Sequence, residues 1–231
     1  MLTRLVEELP RFFGYYNVIF LVKAAATTLC LSAVGCSLGL MLGFSIAIIR
    51  VTRGNSLIPA RLLSISYVEF FRRIPFLVTL MLVFFLYQAI DLDVSVFTVA
   101  LTAVCLIATS YTAEIVRSGL ESVNIMQWEA AESMNFTLGQ TLRTVILPQA
   151  WKVILPPAFS FFILFIKDTA LASQIGVIEL TYSAKVLNNK GFSAALVFGS
   201  VLFLYFVISY PLARFGGWME KKLAVSKRGE R

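Results

Sequence analysis

Histidine is absent from this 231-residue chain. Its absence excludes imidazole proton shuttles, the two-histidine zinc motif and serine–histidine triads. Cysteine is scarce. Cys30, Cys36 and Cys105 sit inside apolar runs without CxxC spacing, which reads as small buried hydrophobes rather than a disulfide or a metal site. Charge is thin as well: 14% of residues are charged against 58% hydrophobic, where a soluble domain carries about 25% charged residues. With a mean hydropathy of +0.82, the chain cannot cover its apolar surface in water. The composition is that of an integral membrane protein. The formal charge of +7 would suit nucleic acid on a soluble protein, but here it fits the bias of basic residues toward the cytoplasmic side, and no nucleic-acid partner is expected.

Long uncharged runs are what the sequence has in abundance. Residues 24–49, 94–113 and 191–213 each hold the roughly 20 apolar residues that a helix needs to cross the hydrocarbon. Run 74–90 is shorter, but its apolar pattern extends back through 62–68. Run 153–166 meets Lys167 and Asp168 before apolar residues resume over 169–178. The expected fold is all-α with five transmembrane helices near 18–49, 60–90, 94–117, 150–172 and 191–214. They lie in one domain over 16–220, between an N-terminal segment (1–15) and a basic tail (221–231). The first run is too long for a signal-peptide core and is expected to be retained.

Five spans place the termini on opposite sides, and the basic residues choose between them. With the C-terminus inside, the inner segments hold Arg50, Arg53, Arg61, Arg72, Arg73, Arg117, Arg143, Lys152, Arg214, Lys221, Lys222, Lys227, Arg228 and Arg231. The outer segments hold only Arg4, Arg11, Lys23, Lys167, Lys185 and Lys190. The expectation is N-out, C-in, with the basic tail against anionic lipid headgroups.

Within the first span Gly35, Gly39, Gly43 and Ala47 recur every four residues and make a helix stripe that another backbone can approach closely. Packing within the chain ranks above a subunit interface. The polar loop 118–149 reads as a helix–turn–helix. Asn124 can cap a first helix, with Gln127 placed as in a capping box, and Asn135 offers the left-handed residue that ends it. A second helical stretch is expected from Leu138 to about Val145, stopped by Pro148. At the inner ends of the spans, Glu114 with Arg117 and Glu69 with Arg72 stand three apart. That spacing allows ion pairs worth little where exposed. These residues read as structural or topological.

Glu129-Ala130-Ala131, Asn135 and Ile146-Leu147-Pro148 are similar to the cytoplasmic EAA loop of ABC importer permeases. The flanks narrow the resemblance to permeases for polar amino acids, of the histidine, glutamine, glutamate and arginine type. Glu69-Phe70-Phe71-Arg72-Arg73-Ile74-Pro75 resembles their entry to the second span, and Tyr111 to Leu120 the exit of their third. Lys167-Asp168-Thr169-Ala170-Leu171, followed by Glu179-Leu180, resembles their "K-D-T-S-L" element. There are departures: Asn135 replaces a glycine, Ala170 a serine, and Ser160 stands where asparagine is frequent. Asparagine reaches the left-handed region at modest cost.

The resemblance implies a type-1 importer permease of the bacterial inner membrane whose loop helix docks in a groove of a P-loop ATPase subunit. Glu129 would meet a basic partner residue, and Ala130 and Ala131 would keep the contact close. It also implies a second permease chain, identical or paralogous, and an extracytoplasmic amino-acid-binding protein. The chain has no GxxxxGK[ST] loop of its own, so ATP and Mg would be used by the partner, no cofactor is expected here, and the chain is not expected to be an enzyme. Lys167, Asp168, Thr169 and Ser160 are candidates for the translocation path or its gate. Intramembrane ions are functional by default, whereas at the outer boundary Lys167 and Asp168 would only snorkel to the interface. An ATP-independent channel or facilitator for small polar solutes is the alternative; it leaves the helix–turn–helix unexplained. A membrane enzyme ranks last, for want of a cysteine pair or carboxylate cluster.

Overall fold

The computed structural model describes residues 2–52 and 54–228, with side chains except those of 2–6, 55 and 224–228. Arg53 and Arg231 of the charge count lie outside the described residues, as do the side chains of Arg4, Lys227 and Arg228. The described residues are helical, without a strand, in the order α1 (Leu2–Phe12), α2 (Tyr15–Val51), α3 (Ile58–Arg73), α4 (Phe76–Ala89), α5 (Val96–Glu121), α6 (Ile125–Ser133), α7 (Leu138–Gln140), α8 (Leu147–Asp168), α9 (Leu180–Asn189) and α10 (Ala194–Arg228).

Four helical stretches are long and apolar enough to cross a bilayer: Tyr15–Val51, Val96–Glu121, Leu138–Ile175 and Ala194–Leu223. The expected second span is a bent pair instead, α3 and α4. Its cause is local. Proline disfavours the helical region for the residue before it, and Ile74 is extended at φ −98°, ψ 134°, with Pro75 serving as N-cap of α4. At 37 residues, α2 is about 55 Å long, far beyond the roughly 30 Å of hydrocarbon.

A second correction concerns Pro148. It does not stop a helix. α7 passes through a π-helical turn, Thr141–Ile146, directly into α8. Proline has no amide hydrogen to give to the turn before it, and the wider π turn accommodates that gap in the ladder. A third concerns Cys30, which is exposed on α2, while Cys36 is buried and Cys105 half-buried.

The chain divides into two compact units, each made of three separate segments. The first holds 1–35, 75–104 and 163–212. Phe12, Leu21 and Ala24 pack there with Leu180, Leu187, Val197 and Val201. Its polar anchor is Glu179, fully buried, whose carboxylate accepts from Thr181 N at 2.8 Å, Tyr182 N at 2.7 Å and Tyr205 OH at 2.9 Å. Burial pushes this carboxyl above the usual carboxylate range, against those bonds. The second unit holds 36–74, 105–162 and 213–231. Its core joins Ala47 to Val116, Leu120, Leu142, Ile146, Ala150 and Ile154.

The glycine stripe of α2 lies against α5. A Cβ on Gly39 would sit 2.4 Å from the Ala108 Cβ and 2.9 Å from its carbonyl carbon. On Gly43 it would sit 2.2 Å from Thr112 Oγ1. That hydroxyl donates to Gly39 O at 2.8 Å. Close backbone approach and a cross-helix hydrogen bond hold apolar helices together in lipid, where burial itself drives little association. Gly35 instead meets the side chain of Val104 within the first unit.

Candidate functional site

The polar loop folds as a short helix with both ends capped. Asn124 Oδ1 accepts from Met126 N at 3.0 Å, satisfying one of the orphan amides of the first turn of α6. Gln127 does not complete a box with it; the reciprocal capping box lies at Thr137 and Gln140. At the other end Asn135 has φ 56°. Its N–H donates to Glu132 O at 2.9 Å, and Phe136 N donates to Ala131 O at 3.1 Å. This pair of bonds is a Schellman motif, with asparagine in the left-handed place that glycine usually takes.

The helix divides its residues between two faces. Ala131 is 2% exposed and points into the second unit, whereas Glu129 and Ala130 are exposed. The two alanines therefore do not share a surface: only Ala130 is free to meet a partner. Ile146 is fully buried in the core, Leu147 is half-buried and Pro148 exposed. Ile146 therefore anchors the loop to α5 and α8 rather than touching anything outside. Trp128 packs on the same core. Beside α6 lies a cleft of about 670 Å³, with Glu129, Glu132 and Trp128 on one side and Arg50 and Arg61 also lining it. Arg61 is tied to Thr52 O. Glu129 and Glu132 make no ion pair among the described residues.

The structure rearranges the two expected ion pairs. Glu69 pairs with Arg73, which donates from Nε at 2.9 Å and Nη2 at 2.5 Å, and not with Arg72. Arg72 turns instead toward Glu114, 3.9 Å away. Glu114 bonds Arg117 as expected, and also accepts from Arg50 Nη1 at 2.8 Å. Arg117 bonds Glu121 as well. Arg50, 64 positions away in sequence, entered the sequence reading only through the charge count.

Lys167, Asp168 and Thr169 stand together where α8 gives way to a 3-10 segment, Thr169–Ile175. Lys167 is exposed, Asp168 half-buried and Thr169 buried, with Thr169 Oγ1 donating to Ile166 O at 2.7 Å. Neither Lys167 nor Asp168 makes an ion pair among the described residues. Ser160 lies about two turns earlier on α8 and is exposed. Four of the seven loop residues singled out from sequence lie on or just after α6, and three lie where the π turn meets α8. Among the described residues, no cluster of His, Cys, Asp or Glu could hold a metal ion.

Residues 39–225 match the family described as "Binding-protein-dependent transport system inner membrane component". A probable amino-acid ABC transporter permease protein of Bacillus subtilis, YckA, is 34% identical over 206 residues, 89% of each chain. The L-cystine transport system permease protein TcyB of the same organism is 35% identical over 186 residues, 80% of this chain and 78% of that one. A solved amino acid ABC transporter crystallised with histidines superposes with a TM-score of 0.80 at 28% identity, covering 90% of this chain and 95% of that one. A match over that length, on a chain with several long apolar helices, identifies a multi-pass inner-membrane protein. The chain belongs to the family of binding-protein-dependent transport system inner membrane components.

Proposed function

We propose that the chain is the permease subunit of an ATP-driven importer of polar amino acids, lying N-out and C-in. The observation that carries this reading is α6, a nine-residue helix capped at both ends and rooted in the second unit by Trp128 and Ala131. Its Glu129–Ala130 face is left open. A rigid piece held that way can pass on a push as a rigid-body motion. In this reading a pair of P-loop ATPase subunits binds and hydrolyses ATP with Mg. Their closure drives the α6 helices of two permease chains, and the path switches between inward- and outward-facing. An extracytoplasmic binding protein delivers the solute. The relatives' amino-acid names support the substrate class, and this chain binds no cofactor and performs no covalent step on the substrate.

The test is uptake of labelled polar amino acids into vesicles holding the purified complex, with the binding protein outside and ATP within. Uptake is expected only with hydrolysable ATP. Equal uptake without it would replace this reading with the ATP-independent channel.

Lys167, Asp168, Thr169 and Ser160 are the proposed path or gate residues, Asp168 foremost, since it is the one carboxylate among them, half-buried, and a carboxylate within a membrane span suits a solute carrying an ammonium group. Asp168→Asn is expected to lower uptake about tenfold or more, the equivalent of one lost charge-assisted hydrogen bond. Wild-type uptake by that variant would remove Asp168 from the path.

A further inference from the structure

The second unit contains a cluster that the loop and the path leave unexplained. Glu114 is shared by three arginines. Arg50 of α2 donates to it at 2.8 Å, Arg117 of α5 bonds it directly, and Arg72 from the end of α3 lies 3.9 Å away. Arg50 is only 10% exposed, and Glu114 is the acceptor of its side-chain bond. The Arg72 guanidinium also sits over the Tyr111 ring, 5.6 Å from its centroid. Tyr111 in turn stacks on Phe161 of α8 at 5.0 Å, with planes 19° apart. One connected set of contacts therefore ties α2, α3, α5 and α8 together, and α8 continues from α6 through α7 and the π turn.

We infer that Glu114 is a positioning residue for coupling: it locks the ends of α2 and α3 to α5, so that a displacement of α6 and α8 carries all of them together. The chemistry favours this role over a surface ion pair. Three guanidinium groups around one carboxylate repel one another once it is removed, and the cluster then has a reason to spread. The bidentate bond from Arg117 of the same helix fixes the direction of the carboxylate, and Arg50 reaches that fixed acceptor from α2 through a single bond. The aromatic half of the set adds the remaining link, because a cation over a ring face attracts it without needing a second carboxylate. A rigid junction transmits a push. A loosened one lets α6 move while the end of α3 stays behind.

This inference rests on the importer reading, and its test separates the two. In the reconstituted complex, solute taken up per ATP hydrolysed is measured for wild type, Glu114→Gln, Glu114→Asp and the double variant Glu114→Gln/Arg50→Met. A wild type without ATP-dependent uptake would fail the importer reading itself. With a coupled wild type, Glu114→Gln is expected to retain ATP hydrolysis while uptake per ATP falls about tenfold, within the usual range of coupling between sites. Glu114→Asp, which keeps the charge, is expected to recover part of the ratio. The double variant no longer holds the Arg50 charge, so it accumulates normally and carries the test should Glu114→Gln be poorly produced. Its ratio is expected to stay low. A ratio within about twofold of wild type in either Gln-containing variant would overturn the inference, since charge balance alone would then account for the cluster.

Discussion

Replacing Gly39 with alanine is expected to loosen the second unit, seen as a lowered Tm in detergent and less chain in the membrane. A Cβ there would lie 2.4 Å from the Ala108 Cβ and 2.9 Å from a backbone carbon. Backbone inside a packed helix cannot yield as the tip of a side chain can. Overpacking of this kind costs about 1–3 kcal/mol, and separating α2 from α5 would also stretch the Thr112–Gly39 hydrogen bond. Alanine offers about 1 kcal/mol of helix propensity over glycine in return, so the two effects oppose each other and the clash prevails. Gly217 provides the contrast. Nothing lies within 4 Å of a Cβ added there, so Gly217→Ala is expected to keep the propensity gain and melt at or slightly above wild type. Equal melting of the two variants would show that the stripe does not hold the helices at this distance.

Glu129→Lys is expected to have the largest effect on transport. The side chain is exposed and makes no ion pair among the described residues, so the chain should reach the membrane at wild-type levels. What changes is the exposed face of α6 that the importer reading sets against the ATPase. Breaking a charge pair at a protein contact costs about 2–5 kcal/mol, and placing like charges together costs several more, which amounts to at least about thirtyfold in affinity. The check is purification of the tagged chain from its own membrane in mild detergent. A P-loop ATPase should accompany wild type and be lost with Glu129→Lys, while Glu7→Lys, an exposed reversal on α1, should leave it bound. Retention of the ATPase in undiminished amount by Glu129→Lys would remove Glu129 from the contact.

The membrane spans and the loop helix were readable because local physics dictates them. Hydrocarbon thickness demands long uncharged runs, and an unsatisfied first turn demands a side chain such as Asn124. A chain reversal demands a residue such as Asn135 that tolerates positive φ. What was not readable depends on rotation or on distant partners. Ala130 and Ala131 are adjacent, yet a turn of about 100° per residue buries one and exposes the other, and only the packed core decides which. The same rotation gives Glu69 to Arg73 and frees Arg72 for Glu114. Arg50 reaches Glu114 through the packing of α2 on α5, a relation that the glycine stripe hinted at without saying which face of α5 it meets. The break at Ile74–Pro75 did have a local signal, the restriction on the residue before proline, which a continuous reading of the apolar pattern overrode.

The π turn at Thr141–Ile146 has a bearing on how related chains are lined up. Such a turn holds one residue more than an α-helix of the same rise, as if a single residue had been slipped into the helix. A relative with a regular helix in this segment would align with a one-residue gap, and its loop residues would then be offset by one position from those of this chain. Losing that residue here would turn α6 by about 100° relative to α8, carrying Glu129 off its present bearing while leaving every amino acid of α6 unchanged. Loop length between Asn135 and Pro148 therefore fixes the orientation of the Glu129–Ala130 face as firmly as the identity of the residues on it.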